Sequence, residues 1–262
     1  MTEAHAVMAK GSKSFALAAK LLPPSRRDAI AVLYAYCRRV DDAIDLAPQE
    51  ERPEALERLR RELDDIYAGE GELASVIRQY RIPRDHFDAL IDGMAMDVAR
   101  TTYRTLDDLR LYCYRVAGVV GLMLCHVMGV SDRNALRNAA DLGIAMQLTN
   151  ICRDVAEDLA DGRNYLPPGH SVRSLLDEAD HYYESGDRGM IALSFRCAFA
   201  VRAARLIYAA IGAELRRRDC DPFRGRVVVP LHKKLYLVLV ALVLTLLTLK
   251  QRIRSRHDVV PI

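Results

Sequence analysis

The 262-residue sequence predicts an all-α protein, and three observations carry that prediction. Apolar residues recur at helical spacing through most of the chain, clearest over 29–40 and 144–159. The ends of those runs are marked by Pro, Ser, Thr, Asp and Gly, the residues that start and stop helices. The one strand-like run, Val227-Val228-Val229, is too short to seed a sheet. A hydrophobic content of 51%, with no linker or low-complexity tract, predicts a single helical domain over residues 1–262.

The elements follow in order. Pro23-Pro24-Ser25 opens a helix that reaches Leu46. Pro48 and Pro53 end it and start a Glu/Arg-rich helix to about Tyr67, and Gly69-Glu70-Gly71 is a loop. Helices over 73–80 and 84–99 come next, the second opened by Pro83. Thr105 with Asp108 three residues on has the pattern of a capping box for a long apolar helix to Gly129. Ser131 is expected to cap a helix to about Leu159, which Asp161-Gly162 stops; residues 164–169 form a loop. Helices over 172–184, 190–217 and 231–253 complete the chain, the last of them basic and Leu-rich.

Charge and cysteine usage exclude several classes. A net charge of +3 does not suit a nucleic-acid binder. Between Arg216 and Arg256, however, eleven Lys/Arg face only Asp219 and Asp221, a distribution that suits phosphates or anionic lipid headgroups as well as a plain solubilising flank. The six cysteines form no CxxC pair and sit in apolar runs, as buried thiols of a reducing compartment do. Residues 1–10 lack the apolar core of a secretory signal, so a cytoplasmic location is expected. The uncharged run 235–249 is shorter than the roughly 20 residues that span a bilayer. Lys233, Lys234, Lys250, Arg252, Arg254 and Arg256 bracket it, which predicts a core-packing or interfacial helix on the inner face of the membrane.

Two acidic turns carry the chemistry. Tyr34, Arg38, Asp41, Asp42 and Asp45 make one polar stripe on an otherwise apolar helix. Carboxylates this close repel unless cations separate them, and Mg²⁺ takes one or two carboxylates together with waters and phosphate oxygens. Taken alone, the stripe is also what a solvated helix face shows. A second helix repeats the arrangement: Gln147, Asn150, Asp154 and Asp158 line one side, Arg153 and Glu157 flank them, and Ile144, Leu148, Ile151, Val155 and Leu159 form the apolar side. Two such helices face to face would make a cage for Mg²⁺ ions and a diphosphate, with Arg38 and Arg153 on phosphate oxygens. Residues 112–124 would give the cavity an apolar wall, and Gly118 and Gly121 within them mark close approach by a ligand or by another helix.

These motifs resemble the squalene/phytoene synthases, which join two prenyl diphosphates head to head. The resemblance covers residues 11–235: Ser12-Lys13-Ser14-Phe15, Tyr34 through Asp45, Tyr112 through Gly121, Gln147 through Asp158, and Gly162-Arg163-Asn164-Tyr165-Leu166-Pro167. It implies an isoprenoid-synthase fold around a central cavity. By position it implies that Asp41, Asp45, Asp154 and Asp158 bind metal, and that Tyr34, Arg38, Tyr112 and Arg153 are catalytic. It also implies that Ser12, Ser14, Gln147, Asn150, Tyr208 and Arg226 bind diphosphate. Gly11 departs from members that carry His before Ser-Lys-Ser.

Within the family, residues 119–123 and 147–151 most resemble the bacterial phytoene synthases. That implies two geranylgeranyl diphosphates coupled through a cyclopropyl diphosphate, with Mg²⁺ or Mn²⁺ and without NAD(P)H, in carotenoid biosynthesis. Members that use farnesyl diphosphate to make presqualene diphosphate, dehydrosqualene or squalene are the alternative. A non-catalytic helical membrane or assembly protein is a remote one, disfavoured because the motif aspartates are all present. The expected partners are prenyl diphosphates and a membrane surface, not nucleic acid; the sequence leaves the oligomeric state open.

Overall fold

Helix α3 (Pro24–Asp45) shows why the chain folds as it does. Its Ile30, Leu33, Val40 and Ile44 fall at helical spacing and are almost wholly buried, so its polar stripe must turn the other way. Pro24 starts the helix where an N–H would lack a partner anyway. A computed structural model of the chain describes residues 2–249. The basic residues Lys250, Arg252, Arg254 and Arg256, and the expected helix beyond 249, lie outside the described residues.

Two short helices precede α3: α1 (Glu3–Gly11), which lies along it, and α2 (Lys13–Ala19). Helices α4 (Arg52–Ala68), α5 (Glu72–Tyr80) and α6 (Arg84–Val98) cover its apolar side. Then α7 (Leu106–Cys113) passes through a π-helical turn (Tyr114–Gly118) into α8 (Val119–Met128). Helix α9 (Arg133–Ala160) packs against α8, α10 (Val172–Gly189) and α11 (Phe195–Arg217), and α12 (Leu231–Leu247) lies on α11. No strand forms among the described residues. The core has two parts, one built on α3 to α6 and α8, the other on α7, α9, α10 and the later part of α11. A cavity lies between them.

The capping box is present as expected: the Thr105 hydroxyl accepts from the Asp108 N–H (3.1 Å), and the Asp108 carboxylate accepts from the Thr105 N–H (2.9 Å). Other expectations are corrected. The cap of α9 is Asp132, whose carboxylate accepts from the Ala135 N–H (2.8 Å), not Ser131. The helix expected over 190–217 is broken, because a 3₁₀ turn (Met190–Ala192) gives way to extended Leu193 and Ser194 before α11 starts. The helix expected over 105–129 holds as a path but contains the π turn. Residues before 20, for which no helix is expected, form α1 and α2.

Gly121 explains the close packing at that turn. A Cβ there would overlap the Ala139 carbonyl, and a Cβ at Gly143 on the facing helix would overlap that of Ala117. Approach by another helix is therefore sufficient reason for the glycine, although both residues also line the cavity. By length and composition, Leu106–Met128 is the one described stretch that could cross a membrane. It supplies Leu109, Cys113, Val119 and Met123 to the core.

Candidate active site

Because α3 and α9 each bury an apolar side, their polar stripes face the space between the two halves of the core. The cavity there has a volume of about 360 Å³. Along both helices its lining changes from apolar to polar in the same direction: Ile30, Tyr34, Arg38, Asp41 on α3, and Ala135, Leu142, Met146, Gln147, Asn150 on α9. The cavity therefore has a charged end, where the aspartate turns stand, and a hydrocarbon end lined by residues such as Leu22, Met128, Val130 and Leu193. Tyr112 and Tyr208 complete the wall.

At the charged end each acidic group is matched differently. Arg38 reaches both Asp41 (3.1 Å) and Asp42 (2.5 Å) on its own helix. Arg163, from the loop after α9, takes Asp45 at 2.5 Å. Asp154 is held by its neighbour Arg153 and by Arg226, whose Nε donates to Oδ1 at 3.0 Å. Asp158 makes no ion pair among the described residues. Burial, and then the charges of Asp45, Asp42 and Asp97, push the Asp41 carboxyl up to about 6 against the pull of Arg38. Burial, and then Asp154, push Asp158 up to about 7. Burial and the nearby Tyr208 push the Tyr34 hydroxyl up to about 12, so it stays protonated.

Tyr34, Arg38, Asp41, Tyr112, Gln147, Asn150 and Tyr208 are thus brought to one cavity, and Asp45, Arg153, Asp154, Asp158 and Arg226 to its charged rim. Ser12 and Ser14 are not among the lining residues. The Ser12 hydroxyl caps α2 by accepting from the Phe15 N–H (3.1 Å), and it is Phe15 that reaches the wall, stacked on Tyr34 at 5.4 Å. Gly11 lies beside them, and a Cβ there would require the Tyr34 ring to shift.

Four further groups escaped the sequence reading. Asp97 and Tyr165 form a buried pair, and Arg163 binds Asp45; the latter two sit in the 162–167 motif but had no role assigned. Lys234 of α12 is buried near Lys13 of α2, neither has an ion pair among the described residues, and burial together with the Lys13 charge lowers the pKa of Lys234. Asp97 is one of four aspartates in α6, the buried one, and nothing in its neighbours along the chain marks it out. Lys234 is one lysine of a basic flank.

Among the described residues no three His, Cys, Asp or Glu side chains converge into a metal site made by protein alone. The donor set does fit Mg²⁺ shared with phosphate, which needs only one or two carboxylates per ion. The raised Asp41 and Asp158 carboxyls stand where added positive charge is favoured. The buried Oδ1 of Asn150, on the same cavity wall, accepts no hydrogen bond, while its Nδ2 donates to Gln147 (3.4 Å).

The chain matches the family model described as squalene/phytoene synthase over residues 8–168 and 169–233. It is 42% identical to a 15-cis-phytoene synthase from a Paracoccus species, over 83% of each chain. It is 40% identical to a phytoene synthase from Pseudescherichia vulneris, over 82% of each. Among solved structures, a dehydrosqualene synthase superposes with a TM-score of 0.83 at 29% identity, covering 91% of this chain and 93% of that one. A squalene synthase from Alicyclobacillus acidocaldarius superposes with a TM-score of 0.75 at 27% identity, covering 84% and 94%.

Proposed function

The chain belongs to the squalene/phytoene synthase family, and we propose that it condenses two geranylgeranyl diphosphates head to head into phytoene, through a cyclopropyl diphosphate and with release of diphosphate. The observation that carries this reading is the polarity of the cavity, with two aspartate-bearing helices at one end and hydrocarbon wall at the other. Such a space suits a prenyl diphosphate with its head at the aspartates and its tail along the apolar wall. The relatives at 42% and 40% identity are phytoene synthases, whereas the farnesyl-type neighbours stand at 29% and 27%, and this favours the longer substrate and a reaction without NAD(P)H.

Asp41 and Asp45 on α3, and Asp154 and Asp158 on α9, would hold Mg²⁺ or Mn²⁺. Once bound, the metal supplies Lewis-acid neutralisation of a departing diphosphate. Arg38, Arg153 and Arg226 offer charge-assisted hydrogen bonds to phosphate oxygens, and Gln147, Asn150 and Tyr208 orient the head group. Ser12 and Ser14 belong to this role by family position. Tyr34 and Tyr112 put aromatic surface beside the allylic carbon as it becomes cationic. The apolar wall keeps out water, which would otherwise capture the cation. The second substrate's double bond attacks that cation and loss of a proton closes the cyclopropane. A second ionisation and rearrangement, followed by loss of another proton, give the hydrocarbon, with diphosphate the natural acceptor of both protons.

Purified protein with Mg²⁺ is to be incubated with the C15 and C20 diphosphates separately, and the lipid extracted. Conversion of the C20 substrate to phytoene is expected. Conversion of neither would sink the enzyme reading, and conversion of C15 alone would sink the chain length.

A water-insoluble product leaves most easily into a bilayer. Helix α12 supports peripheral membrane contact: it buries Lys234, Ala241 and Thr245, yet exposes Leu235, Tyr236, Leu239, Val243 and Leu246 to half or more. Leu239→Glu with Val243→Glu should abolish cosedimentation with anionic vesicles. Undiminished binding would exclude α12 as the contact.

A further inference from the structure

Asp97 lies in the last turn of α6, with the residue only 8% exposed. This is a costly place for a carboxylate. Burial penalises its charge, and the negative end of the helix dipole adds to the penalty. Two phenols compensate: Tyr165 donates to Oδ1 at 2.8 Å, and Tyr112 donates to Oδ2 at 3.0 Å. The rings of Tyr112 and Tyr165 stack at 5.1 Å, and Tyr103 packs on both, at 5.4 and 5.7 Å. Of these three tyrosines only Tyr112 lines the cavity. One carboxylate thus joins three separate segments: α6, α7 and the loop after α9.

That loop is also tied to the charged end. Arg163, two residues before Tyr165, binds Asp45 of α3. The loop therefore grips α3 through one side chain and α6 through another. Tyr112 is fixed through the same carboxylate that fixes the loop.

We propose that Asp97 is a positioning residue for Tyr112. By accepting both hydroxyls, it sets the Tyr112 ring in the cavity wall and locks the Arg163–Tyr165 loop against the aspartate turn of α3. With its hydroxyl engaged by Asp97 (3.0 Å) and beside the Tyr165 hydroxyl (3.3 Å), Tyr112 offers the cavity its electron-rich ring, which favours a cation, and no competing O–H dipole. Asp97 acts through Tyr112 and does not itself touch substrate. The inference rests on the prenyl-coupling reading above.

The test compares wild type, Asp97→Asn and Tyr165→Phe, with the C20 diphosphate and saturating Mg²⁺. Four quantities are read: kcat, KM, the fraction of product halted at the cyclopropyl diphosphate, and Tm. Asn keeps the shape and one acceptor but removes the charge. Asp97→Asn should hold or raise Tm while kcat falls roughly 10- to 100-fold, as is usual for groups that orient an active-site residue. Its KM should stay near the wild-type value, and more product should halt at the intermediate. Tyr165→Phe should move kcat and partition the same way by a smaller factor. A purely structural role would lower Tm and leave the partition alone. The positioning role is overturned if folded Asp97→Asn keeps wild-type kcat and partition, or if extra Mg²⁺ restores its kcat, which would make Asp97 part of the metal site. If Asp97→Asn does not fold, unchanged kinetics in Tyr165→Phe overturn it. Wild type that converts no substrate would instead defeat the reading beneath it.

Discussion

Helices α3 and α9 carry the same kind of aspartate turn and balance its charge in different ways. On α3, Arg38 serves Asp41 and Asp42 from within the helix, and Arg163 covers Asp45. On α9, Asp154 draws on its neighbour Arg153 and on Arg226, 72 residues further along, while Asp158 has no ion-pair partner among the described residues. Each turn uses an arginine of its own helix and one from distant chain, and the second differs in its unmatched carboxyl, which is pushed higher, to about 7 against about 6 for Asp41. A motif that reads the same twice therefore makes two different demands on the fold.

The largest effect should come from removing either turn. Asp41→Ala and Asp154→Ala should each lower turnover of the C20 diphosphate by roughly 10²- to 10³-fold or more. Retention of more than a tenth of wild-type activity by one of them would break the symmetry of roles between the two helices. Arg226→Ala comes next. It removes the distant half of Asp154's pairing, and a lost charge-assisted bond of about 1.5–3 kcal/mol predicts roughly 10- to 100-fold lower kcat/KM. An effect no larger than that of a surface arginine would show that Arg153 alone balances Asp154.

The titration of the two turns should be visible in metal-free protein. Asp41 and Asp158 have folded-state pKa values above the usual carboxylate value near 4, so the folded chain binds more protons than the unfolded chain between about pH 4 and 7. In that window stability falls as pH rises. Metal-free Tm should therefore decline from pH 5 to 7.5, and Mg²⁺ should remove the decline. A metal-free Tm that rises over this range would contradict the sign.

The smallest effects should lie in the extended segment that delivers Arg226. Val227 and Val229 are buried at 2% and 6% exposure, and Val228 between them is 70% exposed. Val227→Ala should cost roughly 1–2 kcal/mol and weaken activity with it, whereas Val228→Thr should change neither Tm nor kcat measurably.

The same contrast explains how much was legible in the sequence. Both stripes could be read because helical periodicity is a local property: Asp41 and Asp45, or Asp154 and Asp158, share a face whatever the rest of the chain does. The capping box at Thr105 is local in the same sense. Asp97 could not be found this way. Its meaning lies in Tyr165, 68 residues away, and in Tyr112 on another helix. Ser12 shows the opposite case, where a polar residue placed at the diphosphate by family position has its hydroxyl engaged in starting a helix. The break at Leu193 and Ser194 was hidden because apolar residues continue across it. The valine run is strand-like in its β-branched residues and alternates in burial, but among the described residues there is no strand to pair with it.

That valine run has a further consequence. Among the described residues, 226–229 make no backbone-to-backbone hydrogen bond, so side chains hold the segment in place: buried Val227 and Val229, and Arg226 on Asp154. Its amides should exchange with deuterium far sooner than those of α9 beside it. It should also be an early target of limited proteolysis. One cut there would sever α12 from the body of the protein and cost Asp154 its second arginine in the same event, so membrane contact and catalytic charge balance would fail together, as linked functions on a single tether.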